Sequence, residues 1–330
     1  MKPHAQIISV SRKTDIPAFY HEWFFNRLKE GFVLYRNPFN AHKFHRVSLL
    51  PNDVHAFVFW TRNAEYLLPR LSELEQYIYY FQYTITGYPR ALEKSTPNPH
   101  RAIATFQQLS RQIGKERVIW RYDPILLCNL LPIQEHKRLF QKIAENLAGY
   151  TDKVIISFAD LYAKTERNLK KIDIKPIGTE HFEFTDILKH ETELADLVGF
   201  MAQTAQLCGM QIETCAETVN LEEKYGIRRG LCIDNQLLER LFGDRGFSNK
   251  KDKGQRAECG CVQSRDIGIY DTCVHGCQYC YATTRHDKAA ENKRQHNPHS
   301  PLLLGEIEDI PEAERDNLLS PPQQDSLFSF

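Results

Sequence analysis

The sequence predicts an α/β fold: a complete or partial (β/α) TIM-like barrel, with a doubly wound open sheet as the alternative. Three observations predict it. Short runs rich in β-branched and aromatic residues recur at 7–10, 55–60, 77–85, 118–122, 154–158, 211–214 and 266–270. Segments of helical periodicity lie between them, and strands alternating with helices signify a parallel sheet. No internal repeat of fixed period is visible.

The helices carry recognisable starts and stops. Asp15 can cap a helix bearing Pro17, Phe19, Trp23, Phe24 and Leu28, which stops at Gly31. Residues 32–50 read as an inserted hairpin. Asn98 and Pro99 open a helix that ends at Gly114, with Ile103, Phe106, Leu109 and Ile113 at helical spacing. Residues 132–149 repeat the design with Leu139, Phe140, Ile143 and Leu147. The expected organisation is therefore barrel strands and helices over 1–217 with the hairpin inserted at 32–50. A cysteine-containing linker or auxiliary metal module follows over 218–264. The last strand and a cysteine loop occupy 265–305, and a flexible tail 306–330.

Charge and composition narrow the function. Lys plus Arg and Asp plus Glu number 42 each, so no strongly basic nucleic-acid footprint exists. Residues 243–256 are locally basic and read as a solvated loop, with a nucleic-acid or partner contact as the alternative. No run of about 18 apolar residues appears, and the first residues show no signal segment, which leads to the expectation of a cytoplasmic protein without a membrane partner. Nine cysteines in a reducing compartment point to metal rather than disulfides. Cys128 and Cys208 sit among apolar residues and read as core; the other seven run from Cys215 to Cys280.

In parallel α/β architectures chemistry gathers at the carboxyl ends of the strands. Each apolar run is followed by polar groups: Ser11, Arg12 and Asp15; Thr61; Thr84 and Thr86; Arg121 and Asp123; Ser157 and Asp160; Cys215 and Glu217. Arg12, Asp15, Arg121 and Asp123 are the candidate catalytic residues, the alternative being structural ion pairs. Ser11, Thr61, Thr84, Thr86, Tyr279 and Tyr281 are candidates for holding a cofactor.

The last run leads into Cys273, Cys277 and Cys280, spaced by three and then two intervening residues. Thiolates are soft ligands suited to iron–sulfur or zinc. Structural zinc takes four ligands. Three cysteines leave one iron of a 4Fe-4S cluster without a protein ligand, open to a small molecule such as S-adenosylmethionine. Gly276 permits the turn that wraps such a cluster, and Tyr279 and Tyr281 can shield it. His275 offers the alternative, a three-cysteine, one-histidine zinc site. Cys215, Cys232, Cys259 and Cys261 make a second four-ligand set, for another iron–sulfur cluster or a zinc ion, the alternative being that Cys215 and Cys232 are packed thiols.

The run CVHGCQYCYA at 273–282 resembles the radical-SAM signature, and most closely that of the spore-photoproduct-lyase and DNA-repair-photolyase-like branch. That signature normally follows the first strand, whereas here it follows the last. TDIP at 14–17, FWTRN at 59–63, YTITGY at 83–88 and RYDPI at 121–125 resemble later strands of the same branch in order, as in a circular permutation. Up to about residue 305 the chain is similar to an uncharacterised bacterial family with a radical-SAM-like cysteine cluster at its C-terminus. The resemblance implies a radical-SAM barrel, a cluster on the three loop cysteines and an external electron donor. It further implies a 5′-deoxyadenosyl radical acting on a substrate such as a nucleobase in DNA or RNA, in a lyase- or transferase-like reaction. Gln324, Leu327 and Phe328 resemble a short bacterial sliding-clamp-binding motif, with two apolar anchors for a groove. The competing expectation is a non-catalytic iron–sulfur or zinc module recruited to DNA through that tail.

Overall fold

The computed structural model describes residues 5–37, 40–172 and 181–320. Its strands are β1 (Gln6–Val10), β2 (Phe32–Asn37), β3 (Asn40–Ser48), β4 (Val54–Thr61), β5 (Tyr79–Thr84), β6 (Val118–Ile125), β7 (Lys153–Phe158), β8 (Gln211–Thr214), β9 (Arg228–Arg229) and β10 (Arg265–Asp266). Eight of them form one sheet in the order β10-β1-β4-β5-β6-β7-β8-β9. Every neighbouring pair in it is parallel. The last strand therefore lies beside the first. The protein is α/β with a parallel sheet flanked by helices, and β2 and β3 form the separate antiparallel hairpin expected at 32–50.

The strand order advances in one direction, without the reversal of a doubly wound sheet. No pairing joins β9 to β10 among the described residues, so a closed ring is not formed. Side-chain alternation explains the open sheet. On one face Val10, Phe57, Phe59, Phe81, Trp120 and Ile156 pack against helices in the main core. On the other, smaller residues (Ile7, Ala56, Val58, Ile119 and Ile155, with Tyr80) pack against Cys232, Ile233, Leu237, Leu238 and Val262. An eight-stranded ring has an interior just wide enough for strand side chains. Here the helix Asn235–Phe242 packs on that face, and the ring must stay open to admit it. Residues 218–264, expected as a cysteine-containing linker or auxiliary metal module, supply much of this cover.

The expected helices form at Pro99–Ile113, with Asn98 Oδ1 accepting from His100 N, and at Ile133–Leu147. The helix after Asp15 is split in two, Ile16–Phe19 and His21–Glu30, and closes at Gly31 in the left-handed conformation. The long helix Glu191–Leu207 lies outside the expected set, although Leu194, Leu197, Val198, Met201 and Ala205 give it a buried stripe at helical spacing. Part of the tail expected to be flexible is ordered as the helix Glu312–Leu319. Ile310 and Leu318 pack against Leu34, Phe44 and Leu302, and Arg46 donates to the carbonyls of Leu318 and Leu319. Gln324, Leu327 and Phe328 lie outside the described residues. Among the described residues no helix is long and apolar enough to cross a membrane.

Candidate functional site

The carboxyl ends of β1, β4, β5, β6, β7 and β8 open onto one cavity of about 410 Å³. Ser11, Arg12 and Asp15 come from the end of β1, Thr61 and Arg62 from β4, and Thr84 from β5. Arg121 and Asp123 come from β6, Asp160 follows β7, and Cys215 and Glu217 follow β8. The loop after β10 brings Cys273, Cys277, Cys280, Tyr279 and Tyr281 to the same wall, and Cys232, Cys259 and Cys261 also border it. Both predicted cysteine sets thus face one space. Of the predicted cofactor-binding residues, Thr86 lies elsewhere, lining a small adjoining cavity.

Asp266, on β10, fixes the cysteine loop to the first strand. Its carboxylate accepts from Ser9 Oγ at 2.8 Å, Ser11 Oγ at 2.7 Å, Arg12 N at 2.8 Å and Gly268 N at 2.9 Å. Gly268 then passes so close to β1 that a Cβ there would meet Ser11 Oγ at 1.9 Å. Within the loop, Gly276 has φ +72°, the left-handed turn that glycine adopts without strain.

Asp15 holds the other side of the loop. Its Oδ1 accepts from Ala18 N at 3.0 Å and Thr61 Oγ1 at 2.8 Å, and its Oδ2 from Arg62 N at 2.7 Å. His275 Nε2 lies 2.7 Å from the same Oδ2. The carboxylate is 6 % exposed, so water does not compete for it. His275 is thereby turned toward Asp15; its Nδ1 is buried without a partner. Thr61 also accepts from Asn63 N at 2.9 Å.

A buried ion pair that sequence reasoning did not assign clamps the loop from a third side. Arg62 donates to Glu93 Oε1 at 2.8 Å and to Tyr279 Oη at 2.8 Å, and Tyr279 Oη also donates to Glu93. Glu93 pairs through its backbone with Cys277, Ser95 N donates to His275 O at 2.8 Å, and Gln278 N donates to Leu92 O at 2.9 Å. Burial opposes charge on Arg62, but Glu93 and Tyr279 more than offset it and hold the guanidinium protonated. Tyr279 is accordingly buried, while Tyr281 is 45 % exposed and donates to Arg12 O at 2.6 Å.

Burial pushes the Cys273 thiol up to about 12 and raises that of Cys277 as well. These thiols stay protonated unless a cation takes the proton's place, as a metal does when it binds. The second set behaves differently. Cys215 Sγ and Cys232 Sγ are 3.0 Å apart, and a hydrogen bond from Cys232 brings Cys215 down to about 7, with Arg121 assisting. Hydrogen bonds from Cys232 and Cys259 lower Cys261, with the Arg12 guanidinium also nearby.

Arg121 donates to Cys232 Sγ at 2.9 Å, to Gln82 Oε1 at 3.1 Å and through Nε to both oxygens of Asp123 at 3.1 Å. Asp123 is therefore paired. The guanidiniums of Arg12 and Arg121 stand 5.5 Å and 5.0 Å from the Trp60 ring. Glu217 accepts from Phe158 N at 2.8 Å, and burial raises its carboxyl to about 7. Among the described residues no group of three or more His, Cys, Asp or Glu side chains is gathered as a single metal ion requires.

The chain matches the family described as a domain of unknown function, DUF1848, over residues 7–282. It belongs to that family. The match runs from β1 through the third loop cysteine, so the cavity and both cysteine sets lie within the DUF1848 region. No curated protein and no solved structure matches the chain. The DUF1848 description carries no activity, and a relationship to radical-SAM enzymes or photolyases is not shown by it.

Proposed function

We propose that this DUF1848 protein is an iron–sulfur enzyme of the radical S-adenosylmethionine type, with a permuted, open (β/α) barrel and a 4Fe-4S cluster on Cys273, Cys277 and Cys280. The observation that carries the reading is the placement of these thiols on the wall of a cavity rimmed by polar groups from six parallel strands. The donor set fits the group. Three soft ligands sit in one loop, and His275, the one nearby candidate for a fourth, has its Nε2 engaged by Asp15. Its Nδ1 is left without a partner, and a ligating histidine also rests its other ring nitrogen on a carboxylate, so metal content decides between the cluster and the three-cysteine, one-histidine zinc site.

Bound there, such a cluster would supply reductive cleavage of S-adenosylmethionine to methionine and a 5′-deoxyadenosyl radical, with the electron coming from an external donor. The protein's own residues bind and position. Asp15, Asp266 and the Arg62–Glu93 pair hold the loop rigid. Tyr279 excludes water from its buried side. Ser11, Thr61 and Thr84 are polar groups on the rim, and Arg12 is a cation for an anionic group of cofactor or substrate, Arg121 being paired with Asp123. Glu217, titrating near neutrality, can hold or give up a proton at the cavity. The cavity suits a small molecule or a single extruded nucleobase.

The test is anaerobic reconstitution of the full chain with iron and sulfide, followed by incubation with S-adenosylmethionine and a low-potential reductant. Release of 5′-deoxyadenosine, lost in C273A/C277A/C280A, is the expected result. A fully loaded protein that releases none refutes the catalytic reading, and stoichiometric zinc without iron supports the non-catalytic module instead.

A further inference from the structure

Four of the seven cavity cysteines are not needed by the loop cluster, and the fold brings them together from three separate segments. Cys215 follows β8, Cys232 follows β9, and Cys259 and Cys261 precede β10. Cys215 and Cys232 are 3.0 Å apart, and Cys261 is within hydrogen-bonding reach of both Cys232 and Cys259. The thiols form a continuous row that borders the cavity.

Their surroundings are not those of packed core thiols. Arg121 Nη1 donates to Cys232 Sγ at 2.9 Å and Ile233 N to Cys261 Sγ at 3.4 Å. Arg12 places a second buried guanidinium near Cys261 and Cys232, and its Nη2 is buried without any acceptor. The indole Nε1 of Trp60, under both guanidiniums, is also buried without a partner. Neutral thiols give such donors little to bind. Thiolates around iron and sulfide carry net negative charge and accept N–H···S hydrogen bonds, which are among the features that set a cluster's potential.

We infer that Cys215, Cys232, Cys259 and Cys261 hold a second iron–sulfur cluster, ligated by all four thiolates and so closed to S-adenosylmethionine, on the wall of the same cavity. The contacts link the ligands in a chain, Cys215 to Cys232 to Cys261 to Cys259. A tetrahedral zinc ion would draw all four sulfurs to one point, and the metal content of the triple variant below separates it from a cluster. A cluster distributes its ligands over several irons, and the cavity gives the thiols room to turn toward it. A closed cluster beside the loop cysteines is suited to passing electrons rather than to binding substrate.

The test uses the full chain, purified and reconstituted anaerobically, in three forms: wild type, C273A/C277A/C280A, and C259S/C261S. The triple variant should keep about two or four irons with equal sulfide, and its reduced electron paramagnetic resonance signal should not change on adding S-adenosylmethionine. C259S/C261S should lose that iron and keep the loop cluster. A triple variant, folded by size exclusion and circular dichroism, that holds no iron overturns the inference. So does one holding a single zinc, one with a Cys215–Cys232 disulfide in place of metal, or one whose signal S-adenosylmethionine alters. Failure of the loop reading looks different: the triple change would leave the iron content of wild type untouched. If the alanine variant misfolds, C273S/C277S/C280S gives the same comparison.

Discussion

Replacing Glu93 by glutamine removes one charge from the Arg62–Glu93 pair while keeping the shape of the side chain. The two groups are 2.8 Å apart, and the side chains are 14 % and 3 % exposed. At an effective dielectric near 20 the gross Coulomb attraction is on the order of 6 kcal/mol. Much of that is offset by the desolvation already incurred in burying both groups. The variant keeps the cost on Arg62 and loses the compensation, so it should be about 3–5 kcal/mol less stable. Tyr279 also loses its carboxylate acceptor, and the loop that carries Cys277 and Cys280 loosens. Urea denaturation of the anaerobic protein measures the first effect, and amide hydrogen exchange over 273–282 the second. The double variant R62M/E93Q should recover part of the loss, because no unpaired charge remains. A cost below about 1 kcal/mol for E93Q, with unchanged exchange in the loop, would refute the claim that this pair holds the site together.

Three further outcomes follow from other parts of the molecule. Burial lowers His136 from 6.5 to about 4, which corresponds to about 3 kcal/mol of stability that is present above pH 6.5 and lost as pH falls toward 4. His136→Gln should flatten the stability profile over that window in equilibrium unfolding, and an unchanged slope would contradict it. Gly268→Ala puts a methyl 1.9 Å from Ser11 Oγ; it should cost about 1–3 kcal/mol and lower iron retention, with S11G/G268A recovering part of the loss in thermal melts. The clamp-binding reading of the tail predicts that replacing Leu327 and Phe328 by alanine abolishes co-elution with a bacterial sliding clamp, and equal binding by both forms would remove it.

Six of the seven strands were legible because each is a short run rich in β-branched and aromatic residues, and several alternate a large residue for one core with a smaller one for the other, as Phe57, Val58 and Phe59 do. The seventh, expected over 266–270, pairs only at Arg265 and Asp266. The reason is a side chain: Gly268 N donates to Asp266 Oδ1 and the chain turns away into the loop. β9 is two exposed arginines and carries no apolar signal. The helix Glu191–Leu207 had a readable stripe, whereas the ordered tail depends on the hairpin it rests on. At the site, sequence placed the right residue types at the strand ends but could not show how Asp15 is used. Four hydrogen bonds, including one to a histidine 260 residues away, make it an anchor. Glu93 gave no local signal at all, since its burial comes from meeting Arg62 and Tyr279.

The adjacency of β10 and β1 decides how such distant pieces form one site. All strands of the sheet point the same way, so their carboxyl ends share one rim, and any loop leaving β10 must emerge beside the residues that leave β1. Ser11, Arg12 and Asp15 thus face Cys273 and His275 without any long-range design beyond strand order. The segment joining the edge strands β9 and β10 has to cross back over the sheet, and it does so on the face lined by Ala56 and Val58, where small side chains leave room. That crossing delivers Cys232, Cys259 and Cys261 to the same rim as Cys215. A ring closed between β9 and β10 would leave no space for the crossing segment. The open sheet is therefore the condition under which both cysteine sets meet at one cavity.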